Sequence, residues 1–314
     1  MKLNDRIKGC IFGYALGDAL GVGTEFMSKK EAAIYYPDKL RSFKQIIRDS
    51  HRSQWEQGEW TNDTEIVARM LESIMEHQEI KETAISKSLW EWVTTGVNDL
   101  SSFLYEMMYS EEWRDNPIQM SHRTWAGKKN PMATNEATGR AVVVALTAKE
   151  SEIRRDTARL VLLTHDDSRC VYSTEVLARA LRKILFEQKD IAYEEVAHIC
   201  AGSDGRLLPY VETAMSDDIE ALDLDDEESS TYTRKTMSAG LWALWHCDNP
   251  ADMIYKMIDE GGDADTNAAI AGALAGAKFG YDALPDEKRE LKQFGYLESL
   301  SERIADYMQQ HVLK

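Results

Sequence analysis

Apolar residues recur at intervals of three and four over most of this sequence, the period of helices with one buried face. The runs lie at 5–22, at 82–95 (Ile85, Leu89, Trp92, Val93), at 136–149, at 152–163 and at about 168–187. A further run opens after Trp60 and carries Ile66, Val67, Met70, Leu71, Ile74 and Met75 on one face. Residues 233–247, 251–260, 267–280 and 297–312 continue the pattern to the end. Residues 27–58 are mixed and polar and predict a short helix and a long loop. Residues 101–113 are aromatic and Met-rich and read as core, whereas 114–134, with Pro117 and Pro131, read as a loop. The acidic run 216–230 reads as a solvated loop or a calcium clasp. No period-2 run or hairpin signal marks a strand. No internal repeat or low-complexity linker divides the chain, so the expected fold is all-α with one domain over 1–314.

Two of these helices are unusual. Gly9, Gly13, Gly17 and Gly21 form a stripe on the first, and 267–280 is rich in Ala and Gly. Each helical glycine costs roughly 1 kcal/mol against alanine, and the return expected for four of them is close approach of another backbone.

Composition narrows the function. Of 314 residues 43% are hydrophobic, enough for a full core, and the net charge is −17. So acidic a surface repels phosphate backbones and anionic membranes, so neither nucleic acid nor membrane is an expected partner. Cys10, Cys170, Cys200 and Cys247 form no CxxC pair, which fits a reducing cytoplasm better than a zinc site or a disulfide framework. No secretory or membrane-spanning stretch is evident.

The candidate chemistry sits where helices begin and end. Gly261-Gly262-Asp263-Ala264-Asp265-Thr266 places two carboxylates and a hydroxyl at a helix N-terminus. It reads either as a capped helix with a spare surface acid or as a site for a hard metal bound by oxygens. Trp60-Thr61-Asn62-Asp63-Thr64-Glu65 repeats that chemistry at another helix start, with Thr61 or Asn62 as N-cap and Thr64 or Glu65 in a capping-box role. Glu25 follows a helix end, where the helix dipole offers it nothing. If the two glycine-rich helices touch, these turns converge, and two divalent cations would resolve the repulsion among their acids. Gly127-Lys128-Lys129 is a basic patch able to contact an anion, and His165 lies at a junction of two helices.

Gly17-Asp18-Ala19-Leu20-Gly21 with Glu25-Phe26, the Trp60 to Glu65 stretch, and the run from Gly261 to Gly276 closely resemble the ADP-ribosylglycohydrolases. That family includes ADP-ribosylarginine hydrolases and the dinitrogenase-reductase-activating glycohydrolase. Weaker matches fall at Gly96 to Asp99, Asn135 to Arg140, Thr164-His165 and Tyr232 to Trp245. The resemblance implies a compact orthogonal all-α domain around a binuclear Mg²⁺ or Mn²⁺ centre. It implies hydrolysis of the bond between the anomeric carbon of ADP-ribose and an acceptor, most often arginine, by a metal-positioned water. By position, Glu25, Thr61, Asn62, Asp63, Asp263, Asp265 and Thr266 fall on metal-site residues. Asp63 or Glu25 falls on the group that positions or deprotonates water, and Asp99 on an acid near the substrate ribose. Asn135, Arg140 and His165 fall near the ADP-ribose contacts, with Gly127 as a further candidate. The implied partner is an ADP-ribosylated protein or ADP-ribose, and a monomer is expected.

Two positions depart from the family pattern. Asn62 stands where an aspartate is usual, which removes a negative charge and is expected to weaken metal binding. Thr134 and Glu136 flank Asn135 where glycines of a pyrophosphate loop are expected, and a glutamate there repels a pyrophosphate unless it turns away or Lys128 and Lys129 compensate. Alternative functions are accordingly a weakly active or inactive binding protein of antitoxin type, and a hydrolase of a small ADP-ribose-like metabolite.

Overall fold

The apolar period becomes helix almost everywhere in the computed structural model, which describes residues 1–97, 100–128 and 133–313. The first helix, α1 (Leu3–Gly21), is buried along nearly its whole length. A short α2 (Lys29–Tyr35) starts in a capping box in which Ser28 and Glu31 satisfy each other's backbone N–H groups. α3 (Asn62–His77) buries the predicted apolar face, and α4 (Glu82–Val93) follows. The aromatic stretch divides into α5 (Ser102–Met108) and α6 (Glu111–Asp115).

The expected loop at 114–134 is largely a helix, α7 (Pro117–Ala126). Pro117 sits in its first turn, where a missing N–H leaves no hydrogen bond unmade and the fixed φ suits the helix. Its buried positions Pro117, Ser121 and Trp125 are spaced by four. Next come α8 (Arg140–Thr147), α9 (Ile153–Val161) and α10 (Ser168–Arg182), the last extended by a π turn over Lys183–Glu187. Between 188 and 215, where the sequence pattern singled out no element, lie α11 (Tyr193–Ala201) and α12 (Leu208–Thr213). The acidic run at 216–230 is held against the protein: Leu222 and Leu224 are buried, and Asp225 accepts the Lys29 N–H at 2.8 Å. The chain closes with α13 (Thr233–His246), α14 (Pro250–Glu260), α15 (Ala264–Phe279) and α16 (Phe294–Tyr307). No strand occurs among the described residues, only one isolated bridge between Thr134 and Tyr232.

The glycine stripe of α1 packs against α15. A Cβ on Gly9, Gly13 or Gly17 would lie 2.2, 2.0 and 1.9 Å from the carbonyl oxygens of Gly276, Gly272 and Ala268. Positions climb on one helix as they fall on the other, so the pair is antiparallel. The C-terminal end of α1 is thereby pressed onto the N-terminal end of α15, where a Cβ on Gly21 would lie 2.3 Å from the Asp265 Cα. The remaining helices surround this pair: α13 and α14 pack on α15, α16 packs on α1, and α10 bridges α8, α9 and α13.

Candidate active site

The close helix pair decides where the acids meet. Glu25, just beyond α1, and Asp263 and Asp265, at the start of α15, each offer a carboxylate oxygen within 4.8 Å of the others. All three are buried. The approach is stitched by two backbone hydrogen bonds, Phe26 N–H to Gly262 O at 2.7 Å and Gly262 N–H to Met27 O at 2.8 Å. Gly261 and Gly262 have φ of 74° and 64°, and a Cβ on them would meet Met27 O at 2.3 Å and Leu224 O at 2.0 Å. Only glycine suits both the left-handed backbone and the contact.

The second cluster is brought in by Asp18, in the last turns of α1. Its fully buried carboxylate accepts the N–H groups of Thr61 and Thr64, both at 3.0 Å, and the Thr64 hydroxyl. This clamps the start of α3 against α1 and carries Asn62 and Asp63 to the same cleft. Thr61 is the N-cap of α3, its hydroxyl accepting the Asp63 N–H at 3.2 Å. Asp263, by contrast, occupies the N-cap position of α15 without capping it. Its carboxylate accepts the Asn135 amide at 2.8 Å, and that amide also donates to Thr236, whose hydroxyl donates to Asn267. The capped-helix reading therefore accounts for Thr61 and fails for Asp263.

The cleft encloses 320 Å³, with Glu25, Asn62, Asp63, Asn135, Asp263, Asp265 and Thr266 in its walls. Burial pushes the Glu25 carboxyl well above the ordinary carboxylate range, and Asp263 adds to the shift while Arg52 opposes it. Burial also raises Asp263, against side-chain hydrogen bonding with Asp265, Asn135 and Thr266. A set of oxygens whose burial raises their proton affinity is suited to hard divalent cations, which supply the missing positive charge. Asn135 Oδ1 is a further buried oxygen in that wall without a hydrogen-bond partner. The residues present fit a divalent metal centre, with Glu25, Asp263 and Asp265 at its heart.

Several predicted residues lie elsewhere. Arg140 and His165 are buried beneath the cleft wall and do not line it. Arg140 donates to Glu136 O and, at 2.7 Å, to the Thr164 hydroxyl, and His165 lies 2.9 Å from the Thr134 hydroxyl. They support the 134–136 turn from below, the two terminal nitrogens of the guanidinium being bonded to a backbone carbonyl and a buried hydroxyl. Gly127 is at the exposed C-terminal end of α7 and is no part of the cleft wall. Asp99 lies outside the described residues.

Sequence reasoning missed His51 and Arg52. His51 Nε2 shares a hydrogen bond with Glu25 Oε2 at 2.7 Å. Buried Arg52 donates to Gly23 O at 2.8 Å and Glu25 O at 2.6 Å. Both come from the irregular 27–58 stretch, where no periodicity marks them. Glu136 does not turn away from the cleft but lines it. Burial works against its charge, yet His165, 3.8 Å from one of its oxygens, and hydrogen bonds from Ser101 and Thr134 together bring it below the ordinary carboxylate range.

A family model described as ADP-ribosylglycohydrolase matches residues 1–312. The chain belongs to that family. Members of the ADP-ribosylglycohydrolase family are hydrolytic enzymes, and this chain is one of them. An ADP-ribosylarginine hydrolase of Serratia proteamaculans is 26% identical over 286 residues, covering 90% of this chain and 73% of that protein. A glycohydrolase of ADP-ribosyl dinitrogen reductase from Rhodospirillum rubrum is 25% identical over 293 residues, covering 90% of this chain and 89% of the other. A solved chain of an ADP-ribosylglycohydrolase-related protein complex superposes with a TM-score of 0.76 at 24% identity, covering 98% of this chain and 99% of that one. At that identity the likeness concerns the fold. No helix among the described residues is long and apolar enough to cross a membrane.

Proposed function

We propose that this protein is a divalent-metal-dependent hydrolase that releases ADP-ribose from a modified protein side chain, with ADP-ribosylarginine as the substrate. The observation that carries the reading is the convergence of Glu25, Asp263 and Asp265 to within 4.8 Å at the wall of a cleft that also holds Asn62, Asp63 and Thr266. The names of the relatives from Serratia proteamaculans and Rhodospirillum rubrum support the substrate class.

In this reading Glu25, Thr61, Asn62, Asp63, Asp263, Asp265 and Thr266 hold two cations, Mg²⁺ or Mn²⁺. Such ions, when bound, supply Lewis acidity and orient substrate oxygens. The rest of the chemistry belongs to the protein. Glu25 is fixed by His51 and by its own backbone contact with Arg52, so it positions. Asp63, on the first turn of α3, accepts the proton of the water that attacks the anomeric carbon. The C–N bond breaks, and the guanidine nitrogen leaves with its electron pair and takes up a proton. Asn135, held by Asp263 and Thr236, presents its free amide oxygen to a sugar hydroxyl.

The test is release of ADP-ribose from an arginine-ADP-ribosylated protein with Mg²⁺, with Mn²⁺ and with a chelator. Metal-dependent release that disappears in Asp265→Ala is the expected result. Release that survives both the chelator and this substitution would rule out the metal centre.

A further inference from the structure

Phe26 and Glu136 line the same cleft as the acidic cluster yet stand outside it. Resting on the arginine reading, we propose that these two residues form a subsite for a planar cation, the guanidinium of the modified side chain, and select cationic over neutral linkages.

Phe26 is placed at a conformational cost. Its φ is 58°, in the left-handed region that a bulky residue rarely adopts. Such strain persists only where the surroundings enforce it, and here the Gly262 hydrogen bonds on either side of Phe26 do so. The strain secures no burial, because the side chain is 60% exposed. What it secures is an aromatic ring at the lip of the cleft, its centroid 5.4 Å from that of the His51 ring and tilted to it by 49°. A ring so held offers a face to a cation.

Glu136 supplies the complementary charge. One of its oxygens accepts the Ser101 N–H at 3.3 Å and the other the Thr134 hydroxyl at 3.0 Å. An ionised carboxylate has about four acceptor positions; His165 Nε2, 3.8 Å from the second oxygen, is beyond hydrogen-bond range and engaged with the Thr134 hydroxyl, so each oxygen keeps one position for a ligand. Two parallel acceptors match the fork of a guanidinium and not a point ammonium. The same charge disfavours a phosphate at this wall, which sends the diphosphate of ADP-ribose elsewhere in the cleft.

The experiment uses Glu136→Gln and Phe26→Asn in the full chain. Asn tolerates the left-handed backbone, so Phe26→Asn is expected to melt no lower than the parent protein. Agmatine and ADP-ribose are titrated by calorimetry with Mg²⁺ present, and kcat/KM is measured on arginine-linked ADP-ribose and on a serine-linked peptide whose linkage is uncharged. Agmatine affinity is expected to fall about 10- to 100-fold in Glu136→Gln, the range for a hydrogen bond to a charged group. In Phe26→Asn it is expected to fall about 3-fold or more. The arginine-to-serine ratio of kcat/KM should fall in both. Faster arginine-linked turnover or tighter ADP-ribose binding in Glu136→Gln would overturn the proposal, because Glu136 would then face the diphosphate. If the parent protein hydrolyses neither substrate, the functional reading fails by itself. The subsite then stands on agmatine binding that Glu136→Gln weakens, and falls if agmatine does not bind or binds both proteins alike.

Discussion

At the scale of single residues, Asp18 shapes the cleft without lining it. It is fully buried, and its two oxygens are divided between the Thr61 N–H on one side and the Thr64 N–H and hydroxyl on the other. Asp18→Asn keeps the shape but turns two donors toward groups that already donate. Leaving a buried donor unsatisfied costs about 1–3 kcal/mol. We expect a loss of that order in urea unfolding, together with weaker Mg²⁺ binding by calorimetry although Asp18 is outside the metal-holding cluster. Unchanged metal affinity would show that the start of α3 finds its place without this clamp. Asn62 poses the opposite experiment. It lines the cleft with an uncharged oxygen where the family pattern carries an acid. Restoring the charge in Asn62→Asp adds to the ligand charge count that sets affinity in oxygen sites. About tenfold tighter Mg²⁺ binding and faster ADP-ribose release are expected. Tighter binding with no gain in turnover would place the deficit elsewhere in the cleft.

At the scale of elements, the antiparallel pair of α1 and α15 is the part whose failure removes everything else. Gly13→Ala would put a Cβ 2.0 Å from the Gly272 carbonyl, and backbone cannot yield as a side-chain tip can. Overpacking costs about 1–3 kcal/mol and sometimes more, against roughly 1 kcal/mol gained from alanine's helix propensity. Gly295→Ala, in α16 with nothing near the new Cβ, is the control and should gain about 0.5–1 kcal/mol. A thermal melt in which both variants behave alike would refute the close-packing argument. This pair was legible in the sequence because its cause is local: glycine at every fourth position has no use in a helix except contact. The acids Glu25, Asp63, Asp263 and Asp265 were legible for a related reason, since each adjoins a helix end that needed explaining. What was not legible depends on distance or on shortness. His51 meets Glu25 across the irregular 27–58 stretch, with no period to announce it. α7 was hidden by Pro117, which breaks a helix anywhere but its first turn, and α11 and α12 bury too few residues each for a period to show. Arg140 and His165 matched a motif in sequence, yet a motif does not say which side of a turn faces the cleft.

At the scale of the whole molecule, charge separates two effects that a single melt would confuse. The chain carries a net charge of −17, so any added salt lessens its self-repulsion and stabilises it somewhat. A site-bound cation acts differently. It binds the folded state, in which Glu25, Asp263 and Asp265 are already assembled, and not the unfolded chain, in which they are scattered. Ligand at about 100 times its dissociation constant then contributes about 2.7 kcal/mol. For a chain of 314 residues that corresponds to a rise in Tm of roughly 4 °C. We therefore expect millimolar Mg²⁺ or Mn²⁺ to raise Tm well beyond NaCl of equal ionic strength. The excess should saturate with metal concentration, vanish in Asp265→Ala, and grow in Asn62→Asp at subsaturating metal. Asp265→Ala also lowers the net negative charge by one, so under pure screening it would retain nearly the whole response to divalent salt. A rise of equal size in NaCl and in MgCl₂, kept in Asp265→Ala, would mean that the cleft acids hold no ion and that the cations act only on the acidic surface.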